Sequence, residues 1–385
     1  MARRADSELT SYALAREGMV NDLVDAGALR TPAVEAAFRS VPREAFVPPG
    51  SPAEVYVDSV IPVSDSRGRW LTTSSQPTMM AIMLEQLDVR PGQAILEIGA
   101  GTGYNAALLA RLTGPRGRVH SVEYEPEAAR RAAETLARVD SPALAHPGDG
   151  ADGWPPGAPY DRIISSVAVW DIPDAWSAQA AANARLVAPF TLLGSDYSIA
   201  LDRESDSWRG RAPEACSFVR FKGRMAHPEQ RMHFDGENAP SLTVTSESGE
   251  LPSAPDLDRW LAAGRGEPVE GFDARGAWEG FLLWLLMSSG PERLIRLTSG
   301  SRAIGWQGIA VGIWDEGGFA AVTAAGRLIR YGQGDTPSAV RSHLNAWRAA
   351  GRPSAEAYRL SLVPGREPPG PARLPRFTHT WQIEV

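Results

Sequence analysis

Apolar and polar positions along this chain follow two different rhythms. Between about residues 94 and 187, short apolar runs give way to helix-length stretches: Ala94-Ile95-Leu96 passes through a glycine-rich turn into Asn105-Ala106-Ala107-Leu108-Leu109-Ala110. The runs Val119-His120-Ser121-Val122 and Tyr160-Asp161-Arg162-Ile163-Ile164-Ser165-Ser166-Val167 repeat the strand pattern. Alternation of this kind predicts an α/β fold, a parallel sheet covered on both faces. Ahead of it, residues up to about 52 read as helices punctuated by prolines, with a periodic segment at 32–41, and 76–87 reads as a helix. Further strand candidates lie around 199–201 and 217–221.

The second rhythm begins after a polar stretch, 227–239, which reads as a linker between a domain over 1–226 and another over 240–385. Here short alternating strands at 308–314, 319–323 and 327–331 are separated by glycine turns, with Gly317-Gly318 a hairpin signal. Helix candidates at 277–288 and 338–350 and an alternating end at 378–385 complete an α+β module. Trp278, Trp284, Trp306, Trp314, Trp347 and Trp381 either fill its core or line a peptide-binding surface. The expected role of this domain is recognition of a peptide substrate.

The sharpest chemical signal is the turn Glu97-Ile98-Gly99-Ala100-Gly101-Thr102-Gly103, between a predicted strand and a predicted helix. Glycines at alternate positions let the backbone curl beneath a ligand, and the first amides of the helix face it. Glu123, at the end of the next strand, stands where such folds place a carboxylate on ribose hydroxyls. Gly148-Asp149-Gly150 precedes another strand pattern, so three strand ends carry small or acidic residues that suit a nucleoside-sized ligand. The loop lacks the Gly-Lys-Ser/Thr ending of a phosphate cradle, and Tyr104 stands where a dinucleotide fingerprint has its third glycine. S-adenosylmethionine, which carries no phosphate, fits these features.

Composition narrows the class further. The chain has 385 residues and a formal net charge of -7, which argues against a general nucleic-acid binder. A single cysteine, Cys216, excludes an intrachain disulfide and a cysteine-based zinc cage, and suits a reducing cytoplasm. The stretch Met1-Ala2-Arg3-Arg4-Ala5-Asp6-Ser7-Glu8 has no apolar core of a secretory signal, and the longest apolar run, 281–287, is too short to span a bilayer. A cytosolic protein without membrane partners is therefore expected. His120, His146, His227, His233, His343 and His379 show no metal-ligand spacing, and no metal is expected.

Several ordered motifs carry a resemblance: Val41-Pro42-Arg43-Glu44-Ala45-Phe46-Val47-Pro48, Tyr56-Val57-Asp58-Ser59-Val60-Ile61-Pro62, Ser75-Gln76-Pro77, the loop from Glu97 to Tyr104, Gly148-Asp149-Gly150 and Ile172-Pro173. Over about residues 19–225 the chain resembles protein-L-isoaspartate O-methyltransferases. The resemblance implies a Rossmann-like class I methyltransferase sheet. It also implies that Glu97, Gly99, Ala100, Gly101, Thr102, Gly103 and Tyr104 form the cofactor loop, with Gly99, Gly101 and Gly103 holding the methionine end and ribose. Glu123 would take the ribose hydroxyls, Asp149 with Gly150 the adenine, and Ser75 would stand beside the accepting carboxylate. The family's Gly-Gln-Thr-Ile-Ser-Gln-Pro segment appears here as Trp70-Leu71-Thr72-Thr73-Ser74-Ser75-Gln76-Pro77, which keeps the serine register but is more polar.

Repair enzymes of this family usually stop near the end of the methyltransferase domain, whereas this chain continues. It looks like extended relatives that methylate an aspartate of ribosomally made, modified peptides such as lanthipeptides and graspetides, leading through succinimide to aspartimide or isoaspartate. That acceptor is the expectation, with repair of isoaspartyl residues as the alternative. An inactive peptide-binding protein and methylation of a small carboxylic acid are rivals of other classes. A carboxylate, with a reference pKa of about 4, is ionised at neutral pH and needs no strong base. Positioning and removal of water are what a protein must supply. Thr73 and Ser74 either assist by hydrogen bonding or cap the following helix, and Tyr56 and Asp58 either shape a substrate groove or serve the structure.

Overall fold

The computed structural model describes residues 2–65, 67–226, 230–236, 239–246, 250–262, 265–268, 274–289, 294–302, 304–367, 373–376 and 378–385. The chain divides into two compact units, one formed by 1–189, 200–205 and 218–226, the other by 190–199, 206–217 and 227–385. The division is not colinear: parts of the stretch expected to form one domain with the N-terminal residues group with the C-terminal ones. Residues 230–236, inside the expected linker, form a paired strand. His227 lies outside the described residues.

The first unit opens with helices α1 (Ala2–Asp25), α2 (Pro32–Ser40) and α3 (Pro52–Val55), followed by the hairpin β1 (Ile61–Ser64) and β2 (Trp70–Ser74) and by α4 (Pro77–Leu87). Prolines stand in the first turn of α2, α3 and α4, where their missing N–H has no intrahelical partner to lose. Strands and helices then alternate: β3 (Ala94–Ile98), α5 (Tyr104–Thr113), β4 (Arg118–Glu123), α6 (Pro126–Arg138), β5 (Leu144–Pro147), β6 (Tyr160–Ser165), α7 (Asp174–Gln179) and β7 (Ala180–Leu192). Their parallel order is β5-β4-β3-β6-β7. Every residue of β3 is buried, as a central parallel strand requires. Helix α6 buries Ala128, Ala132 and Leu136 along one face and carries the ion pairs Arg130–Glu127, Arg130–Glu134 and Arg131–Glu127 on the other.

Chain order runs outward from β3 to β5 on one side and returns to β6 on the other. The reversal between β3 and β6 opens a crevice beyond their carboxyl ends, the place where doubly wound sheets bind ligands. Helices α1, α2 and α4 and the aromatic rings of Phe38, Phe46 and Tyr104 form one apolar cluster with α5. The sequence-predicted α/β alternation and the N-terminal helices are thus present, while residues 217–221 form an extended segment rather than a strand. Its only sheet-like contact among the described residues is a bridge from Ala168 to Arg220.

The second unit contains β9 (Ser207–Cys216) and, after it, β10 (Gln230–Gly236), β11 (Ala239–Ser246), α8 (Ala254–Leu261), β12 (Arg265–Pro268), α9 (Ala274–Ser289), β13 (Leu294–Ser299), β14 (Gly308–Asp315), β15 (Gly318–Thr323), β16 (Arg327–Gly332), α10 (Thr336–Ala349), β17 (Arg359–Pro364), β18 (Arg373–Pro375) and β19 (His379–Glu384); strand β8 (Ser195–Glu204) precedes β9. Seven strands pair antiparallel in the order β10-β11-β13-β14-β15-β16-β12. The β14–β15 turn is fixed by Asp315, whose carboxylate accepts from the amides of Gly317 at 2.7 Å and Gly318 at 3.0 Å. The tryptophans serve packing: Trp278, Trp306, Trp347 and Trp381 are buried and Trp284 and Trp314 half-buried, so no exposed indole surface forms.

A glycine in mid-sheet tests this packing. A Cβ on Gly312 would lie 1.9 Å from the carbonyl oxygen of Ala320, whereas one on Gly18, within α1, would meet nothing within 4 Å. Gly312→Ala is expected to destabilise by about 1–3 kcal/mol and Gly18→Ala to be neutral or to stabilise by up to about 1 kcal/mol, read from thermal unfolding.

Candidate active site

At the carboxyl end of β3 the chain turns through glycines with positive φ: +87° at Gly99, +55° at Gly101 and +88° at Gly103. Two of these positions also leave little room for a side chain. A Cβ on Gly99 would stand 3.1 Å from Val167 and one on Gly101 3.0 Å from the carbonyl oxygen of Thr73. The turn is pinned by Gly99 N–H donating to the Val122 carbonyl at 2.8 Å and Gly103 N–H to that of Ala100 at 2.8 Å. Above it lies a cavity of about 380 Å³. Gly99, Ala100, Gly101, Thr102 and Tyr104 line it, while Gly103 is set back as the N-cap of α5. All lining residues belong to the first unit.

Three acidic residues of the predicted site have three different environments. Glu123 lines the cavity, is 9% exposed, and accepts from the amides of Gly101 at 2.9 Å and Glu125 at 3.1 Å. Burial raises its pKa and these two amides counter the rise. Glu97 has no exposed surface and does not line the cavity; its carboxyl accepts from Asn105 Nδ2 at 2.8 Å and Ser121 Oγ at 2.5 Å. Burial pushes its pKa up to about 7, against the two donors. Glu97 therefore ties α5 and β4 beneath the loop, set back from the cavity that the glycine turn lines.

Asp149 is likewise set back from the cavity, which Gly150 lines. Its carboxylate accepts from the amides of Ala151 and Arg224, both at 2.9 Å, so it fixes its own turn and the segment after residue 218. Glycine at 150 is required by contact, because a Cβ there would lie 2.6 Å from Ile98.

The opposite wall comes from β2 and the residues before α4. Leu71, Thr72, Thr73, Ser74 and Ser75 all line the cavity. Ser74 is 2% exposed and its hydroxyl has no hydrogen-bond partner, an unsatisfied polar group facing a ligand-sized space. Ser75 is placed by Arg43. This arginine, with no exposed surface, donates to the carbonyls of Val55 at 3.0 Å, Val57 at 2.9 Å, Ser59 at 3.2 Å and Ser75 at 3.1 Å. Burial lowers its pKa.

Tyr56 and Asp58 do not reach the cavity. The Tyr56 hydroxyl donates to Glu44 and accepts from the Arg43 amide at 3.1 Å within the helical core. Asp58 caps α4 from outside, accepting from Thr78 N at 2.9 Å, Thr78 Oγ1 at 2.7 Å and Gln76 Nε2 at 3.0 Å. Of the two roles expected of these residues, the contacts seen here are structural, and neither residue lines the cavity.

Residues 219–222 close the remaining side, a contribution sequence reading did not find. Ala168 N–H donates to the Val219 carbonyl at 2.8 Å and Phe221 N–H to that of Ala168 at 2.9 Å. Phe221 packs against Trp176, whose Nε1 donates to the Gly150 carbonyl at 2.8 Å. Among the described residues no group of three or more His, Cys, Asp or Glu side chains gathers as metal ligands, and no helix is long and apolar enough to cross a membrane.

Two measurements follow from this geometry. Arg43→Met leaves four carbonyls without their donor and is expected to cost about 2–3 kcal/mol in unfolding experiments. Glu97 holds its proton in the folded protein to about pH 7, against an ordinary value of 4.5. Its contribution to stability is thus fullest below pH 4.5 and declines as pH rises to about 7. Glu97→Gln, which mimics the protonated acid, is expected to flatten that part of the stability profile measured by urea unfolding.

The description of a known family model, protein-L-isoaspartate(D-aspartate) O-methyltransferase, matches residues 14–226. The chain is 38% identical over 221 residues to a protein-L-isoaspartate O-methyltransferase of Methanopyrus kandleri, covering 56% of this chain and 94% of the relative. It is 40% identical over 192 residues to protein-L-isoaspartate O-methyltransferase 1 of Rhodopseudomonas palustris, covering 50% of this chain and 74% of the relative. A solved structure titled protein-L-isoaspartate O-methyltransferase aligns over 96% of this chain and 99% of its own with a TM-score of 0.56 and 21% identity, a likeness of fold. The chain belongs to the protein-L-isoaspartate(D-aspartate) O-methyltransferase family, enzymes that use S-adenosylmethionine.

Proposed function

We propose that this enzyme methylates the free carboxylate of an isoaspartyl residue in a polypeptide. The observation that carries the reading is one cavity lined by the positive-φ glycine turn, by Glu123 and by Ser75. The residues present fit the cofactor, since the turn at Gly99 and Gly101 is left open by positive-φ glycines, where a Cβ would be crowded by Val167 and by the Thr73 carbonyl, and Glu123 presents a fixed carboxylate to a ribose diol. When bound, S-adenosylmethionine supplies a methyl group made electrophilic by its sulfonium. The chain's own part is binding and orientation. The turn amides and Glu123 hold the nucleoside, Gly150 closes against the base, and Ser75 donates a hydrogen bond that aims one acceptor oxygen.

No residue has to take a proton, because the acceptor is already an anion. The partly enclosed cavity strips water from that anion, and orientation supplies the rest of the rate. Ser74, with its unpartnered hydroxyl, and Thr73 stand on the same wall and assist at the acceptor. Methoxide leaves the ester far more readily than oxide leaves a carboxylate, so the neighbouring backbone nitrogen attacks the ester carbonyl, loses its proton and expels methanol to give a succinimide, which water reopens.

The sequence reading favoured an ordinary aspartate in a ribosomally made, modified peptide because the chain extends beyond the methyltransferase domain. A solved structure bearing the isoaspartyl enzyme's title has a fold matching 96% of this chain, so the extension does not argue for that acceptor over the isoaspartyl one. The relatives' names support the isoaspartyl reading.

Labelled methyl transfer to matched peptides, one with isoaspartate and one with aspartate, tests the proposal. Turnover of the isoaspartyl peptide alone is expected, and turnover confined to the aspartyl peptide would overturn it. Ser75→Ala is expected to keep cofactor affinity and lose about 100-fold in turnover, the scale of a misplaced acceptor. Glu123→Ala is expected to weaken cofactor binding by roughly 10- to 100-fold, measured by calorimetry, as a charge-assisted hydrogen-bond acceptor is lost.

A further inference from the structure

Two cationic side chains, Arg220 and Lys222, line the cavity, and both come from the extended stretch at its mouth. No other lysine, arginine or histidine lines it among the described residues. The backbone on either side of Lys222 is fixed, by the Phe221–Ala168 hydrogen bond at 2.9 Å and by Arg224 N–H donating to Asp149 at 2.9 Å. A Cβ on Gly223 would lie 2.5 Å from the Asp149 carboxylate, so that fixation depends on close backbone approach. The Lys222 ammonium nevertheless stays at the rim. It lies 2.5 Å from Glu125 Oε1 and 5.8 Å from the centre of the Trp70 ring.

The same rim exposes large apolar side chains: Trp70 by 53%, Tyr124 by 46% and Val219 by 39%. Apolar surface gathered around an opening suits a polypeptide more than a small acid. Glu123, the buried acid of the cavity, is already engaged by two backbone amides. Glu125 is different. It is a half-exposed carboxylate held by an ammonium at the entrance, and exposed pairs of this kind add little stability. An incoming carboxylate can replace it at small cost.

We propose that Lys222, with Arg220 beside it, reads a second carboxylate next to the accepting one, so that the preferred acceptor is an acidic peptide in which Asp or Glu flanks the isoaspartyl residue. The inference rests on the carboxyl methylation proposed above and narrows its substrate class. Glu125 acts as the internal stand-in for that second carboxylate, and Trp70 keeps the ammonium over the opening by cation–π attraction.

The test compares kcat/KM for two isoaspartyl peptides that differ only in a flanking Glu or Gln. The acidic peptide is expected to be favoured by roughly threefold or more at low ionic strength, less so as salt is added. Lys222→Met should bring the ratio close to one, Lys222→Glu should reverse it, Lys222→Arg should retain it, and Glu125→Gln should widen it. Equal use of both peptides by the unaltered enzyme, or a ratio unmoved by Lys222→Met, overturns this inference and leaves the proposed function standing. Failure to methylate either peptide overturns the proposed function and this inference with it.

Discussion

A guanidinium without exposed surface sets the geometry on which the Ser75 wall of the cavity depends. Arg43 gathers carbonyls from residues 55, 57, 59 and 75 around one cation, so the irregular stretch after α3 is tied to the residue that follows hairpin β1–β2. Buried charge is costly, and here hydrogen bonds to backbone oxygens answer that cost. The aromatic cluster of Phe38, Phe46 and Tyr104 encloses the same region and joins it to α5, the helix that begins at the glycine turn. Ser75 and the glycine turn are therefore referenced to one core. Sub-ångström placement matters for a reaction whose barrier is lowered mainly by orientation.

The glycine-turn wall depends on the opposite strategy, the absence of side chains. Positive-φ glycines let the turn approach Thr73 and Val167 closely, and two buried acids divide the labour. Glu97 lies beneath the turn and binds Asn105 and Ser121, while Glu123 faces the cavity and is oriented by amides on its own side. Similar residues on neighbouring strands thus differ in surroundings because one is sealed from the cavity and the other is not. Asp149 follows the first pattern, fixing the 218–226 segment that completes the far wall.

The parts legible in sequence were local. An apolar run followed by Gly-x-Gly-x-Gly and a helix pattern announced β3, the turn and α5, since central parallel strands are apolar throughout. Glu123 and Ser75 were legible through position, one at a strand end and one in a family motif. Asp149, Glu97, Tyr56 and Asp58 were recognised as residues that matter, but nothing in their spacing tells whether an acid or phenol faces the ligand or the backbone behind it. Arg43 was legible only as part of a family motif, because the carbonyls that surround it come from residues far along the chain. Hairpin β1–β2 carries only partial alternation of burial, and the 219–222 wall reaches the cavity from beyond β9, so neither has a local signature. The noncolinear grouping of 190–199 and 206–217 is set by long-range contacts that no window of sequence contains.

One measurement bears most directly on the account. A peptide containing one aspartyl and one isoaspartyl residue would be incubated with the enzyme and S-adenosylmethionine and then fragmented in a mass spectrometer to locate the added methyl group. The methyl is predicted on the isoaspartyl residue alone, followed by loss of methanol as the succinimide closes. A methyl found on the aspartyl residue, or on neither, would contradict the assignment of this cavity.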